Sequence, residues 1–332
     1  MVRHYNISVR ENSSIALNPQ GSIDQYGFPL TLNPTIGCHF ACKYCYSPVF
    51  VKKQLTDRRK DFFEEVIFKK EIPALLEKEL EKYSVLPNHL KRVQINETSD
   101  YYLPRIINGI QDGTLPDIML EVLNIFQRQW DKGNKWMLHF LTKSPLIRFH
   151  LDKLIEMKHM VQVEMSIATI VEDIRRKIEV SAPSTQQRFD TIKLLSDNGI
   201  FVRVMAMPFY GDYNDVLNIK KVTAQYGAKA FKNKGLNYFD WDELKNLSYQ
   251  DLIADKVSRV QGRKDIMYED LNYKSGEDFL VNGKPTSINL LMPIDRKWAA
   301  VTKMEERIKP MDQKIINCGY GDINSEDWGY IK

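Results

Sequence analysis

TLNPTIGCHFACKYCYSPVF, residues Thr31 to Phe50, carries three of the chain's four cysteines, Cys38, Cys42 and Cys45, spaced Cys-x3-Cys-x2-Cys. An odd number of thiols separated by such short loops cannot all pair as disulfides, but they can converge on one metal site. Structural zinc wants four ligands. His39 is the nearest candidate for the fourth, and it sits beside Cys38, where sharing one tetrahedral site is strained. An iron–sulfur cube also accepts cysteine thiolates, normally four of them. With three, one iron stays open, and an open iron is a place for chemistry. Cysteine is otherwise so scarce here that a chance cluster accounts poorly for the motif.

The spacing resembles that of the radical S-adenosylmethionine (SAM) enzymes. The resemblance implies that Cys38, Cys42 and Cys45 hold a [4Fe–4S] cluster whose open iron binds the amino and carboxylate groups of SAM. One electron then cleaves the sulfonium and releases a 5′-deoxyadenosyl radical, so the cofactors carry the chemistry and the protein supplies binding and orientation. Tyr44, just before the third cysteine, matches the aromatic residue that the family packs against the adenine.

The chain has 332 residues, 43% hydrophobic and 27% charged. That length suits about two domains, or one large α/β domain with an extension. The cysteine usage is not a disulfide framework and suits a reducing compartment. The opening MVRHYNISVRENSS has no apolar segment of a signal peptide, and no apolar run approaches membrane-spanning length. These features predict a cytoplasmic protein with no membrane partner. A net charge of +4 permits an anionic partner without demanding one.

Residues 1–27 are mostly polar and read as an N-terminal arm. Phe28–Asn33 is the first strand, broken by Pro34 and Gly37 into the cysteine loop, residues 35–50. Five basic residues follow between Lys52 and Lys60; such a run is ordinarily a solvated face, and its position also admits phosphate contact. The periodicity predicts helices over Pro73–Tyr83, Ile118–Gln129, Leu146–Met157, Thr185–Asn198 and Asn214–Tyr226, with Gly199 and Gly227 as the stops of the last two. It predicts strands over Arg92–Asn96, Met137–Leu141, Val161–Ile167, Ile200–Ala206 and Ala228–Phe231. Strand and helix alternate about six times, which argues for a parallel sheet with crossover helices. This fits the partial (β/α)6 barrel of radical SAM enzymes, spanning residues 28–231. The alternation fades over 232–332. That C-terminal extension, with Tyr238, Trp241, Trp298, Cys318 and Tyr320, is expected to close the open side of the barrel and to help choose the substrate.

In parallel barrels, ligands sit at the carboxyl ends of the strands. Here the second strand ends in Glu97-Thr-Ser-Asp100, the third in Thr142-Lys-Ser144, the fourth in Ser166-Ile-Ala-Thr169 and the fifth in Met205-Ala-Met-Pro208. Turn and capping chemistry accounts equally well for any one of these ends. Lys143 is the sharper case, since a lysine in a barrel mouth is placed to meet a carboxylate. The order of these pieces, with Glu179-Val-Ser-Ala-Pro-Ser184, Arg188 and the Gly199–Val204 strand, resembles the spore photoproduct lyase-like group over about residues 30–230. The resemblance implies SAM contacts from Thr98 or Ser99, from Lys143 and from Ser166. Thr169, Arg203 and Met205 complete the candidate cofactor-binding set.

One position departs from the group. The lyase uses a cysteine just before its Thr/Ser-Ser-Asp segment to return a hydrogen atom, and Glu97 stands there in this chain. A carboxylate is a poor hydrogen-atom donor, so Glu97 is read instead as a group that binds substrate or moves a proton. Cys318 is the remaining cysteine. It is either a small buried residue or a hydrogen donor supplied by the extension.

The leading reading is an enzyme that abstracts hydrogen from a pyrimidine base of nucleic acid or a nucleotide. It draws its electron from a flavodoxin- or ferredoxin-type donor. The basic run and the Lys229–Lys234 segment with Tyr238, Phe239 and Trp241 suit phosphate and stacked bases. A peptide or small-metabolite substrate is the runner-up, and a non-catalytic cysteine-metal module that binds nucleic acid is the competing class.

Overall fold

The computed structural model describes residues 6–10, 13–19, 30–42, 44–45, 47, 62–85, 91–206, 209, 213–233, 280–281 and 284–285. The basic run and nearly all of the extension, Cys318 included, lie outside the described residues. The strands are β1 (Asn6–Arg10), β2 (Leu17–Pro19), β3 (Leu30–Leu32), β4 (Thr35–Ile36), β5 (Glu65–Lys69), β6 (Arg92–Ile95), β7 (Met137–Thr142), β8 (Val161–Ser166), β9 (Phe201–Ala206) and β10 (Ala230–Asn233). A two-residue pair, β11 (Leu280–Val281) and β12 (Lys284–Pro285), follows. The helices are α1 (Ile72–Lys82), α2 (Pro104–Gln111), α3 (Ile118–Asp131), α4 (Leu151–Glu156), α5 (Glu172–Ile178), α6 (Thr185–Asp197) and α7 (Tyr213–Gln225).

The main sheet runs β10-β9-β8-β7-β6-β3-β2. Its six strands from β3 to β10 are all parallel and stand in chain order, and β2 joins antiparallel at the edge. Each parallel neighbour is reached through a helical crossover, as parallel strands require. This is the expected mixed α/β fold with the parallel sheet of a partial (β/α)6 barrel. A second sheet runs β1-β5-β4.

Alternation along each strand sorts side chains onto two faces. Ile95, Phe140, Val163 and Val202 form one row, and Val93, Leu138 and Val161 another, both on the apolar face. The opposite face carries Gln94, His139 and Gln162 in one row and Glu164 beside Arg203 in the next, and all of these are buried. Glu164 and Arg203 form an ion pair across β8 and β9. A polar inner face is unusual for a core, since buried polar groups cost free energy unless paired. The Leu141–Glu164–Arg203 row lies two residues below the pair of Ser166 and Met205, on the same face.

Several elements differ from the expectation. The stretch 1–27, expected to be an N-terminal arm and given no strand, contributes β1, parallel to β5, and β2, antiparallel to β3. The stretch expected as one helix over Leu146–Met157 is split. Pro145–His150 forms a 3-10 helix, and only Leu151–Glu156 is α-helical. At its start Ser144 caps Leu146 N–H at 3.2 Å, and at its end the His150 ring is held from a distant part of the chain by Asp117 at 3.1 Å. β5, α2 and α5 carried no expectation.

Asp117 does two jobs at once. It caps α3 by accepting from Leu120 N–H at 3.0 Å and it receives His150 Nε2. Burial pushes its carboxyl up, yet the hydrogen bond and charge of His150 and the helix N–H groups outweigh this and hold it below the usual carboxylate range. A depressed folded-state value means stability that is complete above the unfolded value of about 3.9 and is lost as the pH falls from there through the lower folded value. Asp117→Ala is expected to cost about 1–2 kcal/mol near neutrality, a typical cap loss. Urea unfolding should show that difference shrinking below about pH 4.

Candidate active site

The cysteine loop starts with a constraint that only glycine meets. Gly37 has φ +97, and a Cβ there would lie 2.1 Å from the Glu65 carbonyl oxygen. The close approach lets Cys38 N–H donate to Phe62 O at 2.8 Å, tying the loop to the segment that leads into β5. Ala41, between the first two cysteines, adopts φ +51, a conformation that costs a non-glycine residue about 1–2 kcal/mol. Cys45 N–H then donates to Cys42 O at 3.0 Å. On its far side the loop pairs with the turn after α5, through a bridge between Cys42 and Glu179 and a bond from Ser181 N–H to Phe40 O at 3.0 Å.

Side chains close the same junction. The Tyr44 hydroxyl donates to Glu179 Oε1. Glu179 Oε2 receives Arg188 at 2.5 Å, and both residues are almost fully buried. Arg188 also donates to Ser166 O at 3.0 Å and to Pro183 O at 2.8 Å. Lys143 Nζ donates to Ser166 Oγ at 3.0 Å and lies 5.6 Å from the Tyr44 ring centroid. The contacts therefore run from Tyr44 through Glu179, Arg188, Ser166 and Lys143 and back to Tyr44. Asp100 fixes Lys143 from behind, accepting from Lys143 N–H at 2.9 Å, Thr142 Oγ1 at 2.8 Å and Tyr102 N–H at 3.0 Å.

The charges at this junction are mutually adjusted. Burial alone would raise the Glu179 carboxyl, but Arg188 and Lys143 overcome it and hold it below its usual range. Burial would lower Lys143, but Cys42 and Glu179 raise it instead, so it stays cationic. Burial pushes the Cys42 thiol up to about 12 and Cys38 well above its usual value. Ligation must therefore displace a proton from these thiols, as metal binding generally does.

All three thiols are free of disulfides, and Cys38, Cys42 and Cys45 act on one another electrostatically. Among the described residues, no three His, Cys, Asp or Glu side chains converge as the ligands of a single metal ion. A cube attaches each thiolate to a different iron and so spreads its ligands more widely. Three cysteines in one short loop, with a lysine and a serine alongside, fit a cluster whose remaining iron takes a small ligand.

The other expected site residues divide by their partners. Thr98 N–H donates to Asn33 Oδ1 at 3.0 Å, and the Ser99 hydroxyl is engaged by Thr35. Thr169 Oγ1 accepts from Val171 N–H at 3.1 Å, a turn bond. Arg203 is committed to Glu164. Met205 is half-buried beside Ser166, and its carbonyl accepts from Ile167 N–H at 3.0 Å. Glu97 is half-buried at the carboxyl end of β6. Glu179, Arg188 and Asp100 stand in the motif segments of the sequence but carry no role that their residue type alone reveals.

A parallel α/β sheet here carries a loop with three free thiols after its strand β3. A sequence model of the Radical SAM superfamily matches residues 32–219, more than half of the chain, and the chain belongs to that superfamily. Its cofactors are accordingly a [4Fe–4S] cluster and SAM. An uncharacterized protein of Methanocaldococcus jannaschii is 28% identical over 220 residues, 66% of this chain and 72% of that protein. One from Acidianus two-tailed virus is 27% identical over 182 residues, 54% of this chain and 55% of its own length. Spore photoproduct lyase complexed with dinucleoside spore photoproduct shares the fold, with a TM-score of 0.57 and 14% identity over 78% of this chain and 72% of the lyase. A lyase variant with bound AdoMet matches at TM-score 0.55 and 14% identity, with the same coverage.

Removing one member of a buried ion pair strands the other, at a cost of about 3–5 kcal/mol. Arg188→Ala is expected to lower stability by that amount, read by denaturant unfolding. Replacing Glu179 and Arg188 together by Leu is expected to restore most of the loss.

Proposed function

We propose that this radical SAM enzyme removes a hydrogen atom from a carbon of a pyrimidine base, in nucleic acid or a nucleotide. When bound, the cluster and SAM supply a 5′-deoxyadenosyl radical. Cys38, Cys42 and Cys45 hold the cluster. Lys143 offers its ammonium to the carboxylate of SAM, and Ser166 offers its hydroxyl beside it. The Tyr44 ring packs on the adenine, its hydroxyl anchored by Glu179. Thr98, Ser99 and Thr169 are short polar groups toward the ribose and amino ends, and Met205 is an apolar wall. Arg203 acts through Glu164, below that layer. Glu97 binds substrate or moves a proton, and Cys318 is the candidate hydrogen donor.

The observation that carries the SAM-binding reading is the bond from Lys143 to Ser166 beside Tyr44, at the carboxyl end of adjacent parallel strands. The pyrimidine substrate is supported by the order of Thr98–Asp100, Thr142–Ser144, Ser166, Glu179 and Arg188. Lys229 and Lys232 around Phe231 suit a phosphate-bearing, stackable ligand. Among the described residues, no helix is long and apolar enough to cross a membrane. The setting proposed is the reducing cytoplasm, with a flavodoxin- or ferredoxin-type electron donor.

Reconstituted protein is expected to bind about four irons per chain and to release 5′-deoxyadenosine under reduction. Cys42→Ala is expected to release none, and full release by that variant would contradict the cluster assignment. Lys143→Ala is expected to weaken SAM binding by roughly 1.5–3 kcal/mol, the range for a hydrogen bond to a charged group. With perdeuterated pools offered separately, deuterium should enter 5′-deoxyadenosine from oligonucleotides or nucleotides. Label arriving only from a peptide pool would overturn the substrate assignment.

A further inference from the structure

Asn96 follows the last residue of β6 and carries two costs at once. Its φ is +68, in the left-handed region, one of two such non-glycine residues among those described. Asparagine tolerates that region better than most side chains, but the conformation is still uncommon. The residue is 3% exposed, and neither its Oδ1 nor its Nδ2 has a hydrogen-bond partner. Its backbone is in order, since Asn96 N–H donates to Leu32 O at 3.0 Å and continues the parallel ladder. An unpaired buried carboxamide is expensive, and each such group in a native structure calls for an explanation.

The place supplies one. Asn96 stands at the carboxyl end of a barrel strand, where ligands sit. It directly precedes Glu97–Asp100, whose last member positions Lys143. A strained residue with unmet bonding at such a position is the pattern of a ligand clamp. A carboxamide with donor and acceptor both open is complementary to a planar edge that presents an acceptor beside a donor. That is the edge by which asparagine reads adenine, and the imide edge of a pyrimidine has the same character.

We propose that Asn96 hydrogen-bonds the edge of a nucleobase, through both atoms of its carboxamide. The base is either the adenine of SAM or the pyrimidine of the substrate, and the second case rests on the proposed function above.

The test uses reconstituted protein and calorimetric titration, first with SAM, then with thymidylyl-thymidine in the presence of SAM. Asn96→Gly removes the carboxamide and accepts the positive φ without strain, so its melting temperature should equal or exceed that of the wild type. One of the two affinities should fall about tenfold, the sum expected for two modest hydrogen bonds. A fall for SAM assigns adenine, and a fall for the dinucleotide assigns the substrate base. Asn96→Asp keeps the side-chain shape and loses the donor, and it should weaken the same ligand even if the glycine variant folds poorly. If the wild type binds no dinucleotide, the pyrimidine reading fails by itself and the SAM titration alone decides Asn96. Wild-type affinity in both variants for every ligand that the wild type binds would overturn the inference.

Discussion

The junction depends on the buried pair of Glu179 and Arg188. A carboxylate and a guanidinium taken out of water are costly, and they persist only when paired and held by further hydrogen bonds. Here each finds more than its partner. Glu179 also accepts from Tyr44, and Arg188 also donates to the carbonyls of Ser166 and Pro183. The pair therefore does more than neutralise itself. It fastens the cysteine loop, which has little regular structure of its own, to the end of β8. The turn that presents Glu179 is also bridged to Cys42 by backbone, so the attachment is made twice.

This arrangement places two kinds of chemistry beside each other. On one side are thiols that burial keeps protonated until a metal displaces the proton. On the other is Lys143, kept cationic by Cys42 and Glu179 despite its burial. Asp100 holds the Lys143 backbone with a carboxyl that burial raises and three hydrogen bonds lower. Positioning of this sort is what a radical enzyme's protein contributes, since the cofactors carry the bond cleavage. Below this layer the inner face of the sheet stays polar, with Glu164 paired to Arg203.

Much of this was legible in the chain, for identifiable reasons. The parallel sheet followed from strand–helix alternation, because each crossover repeats the same change of period. That Cys38, Cys42 and Cys45 lie near enough to act on one another followed from their spacing. Other elements were hidden by conflicting local signals. Asn108-Gly109 reads as a turn, yet it lies inside α2, where Gly109 leaves room for Leu115; a Cβ there would meet that side chain at 2.8 Å. β1 and β2 are short and polar, and their partners β5 and β3 are supplied from elsewhere in the chain. Glu179 and Arg188 look like surface charges in a sequence, since burial of a charge depends on tertiary partners that no local pattern encodes. Asn96 gave no signal at all, because neither its φ nor its unmet bonds can be read from residue type.

The central claim is that three thiolates leave one iron of a cluster open, and that the latched loop presents that iron to SAM beside Lys143 and Ser166. Mössbauer spectroscopy of protein reconstituted with iron-57, recorded before and after SAM is added, tests it directly. The account predicts that SAM changes the isomer shift of a single iron while the rest of the cluster is unmoved. A cluster whose irons are all equally unaffected by saturating SAM would contradict it.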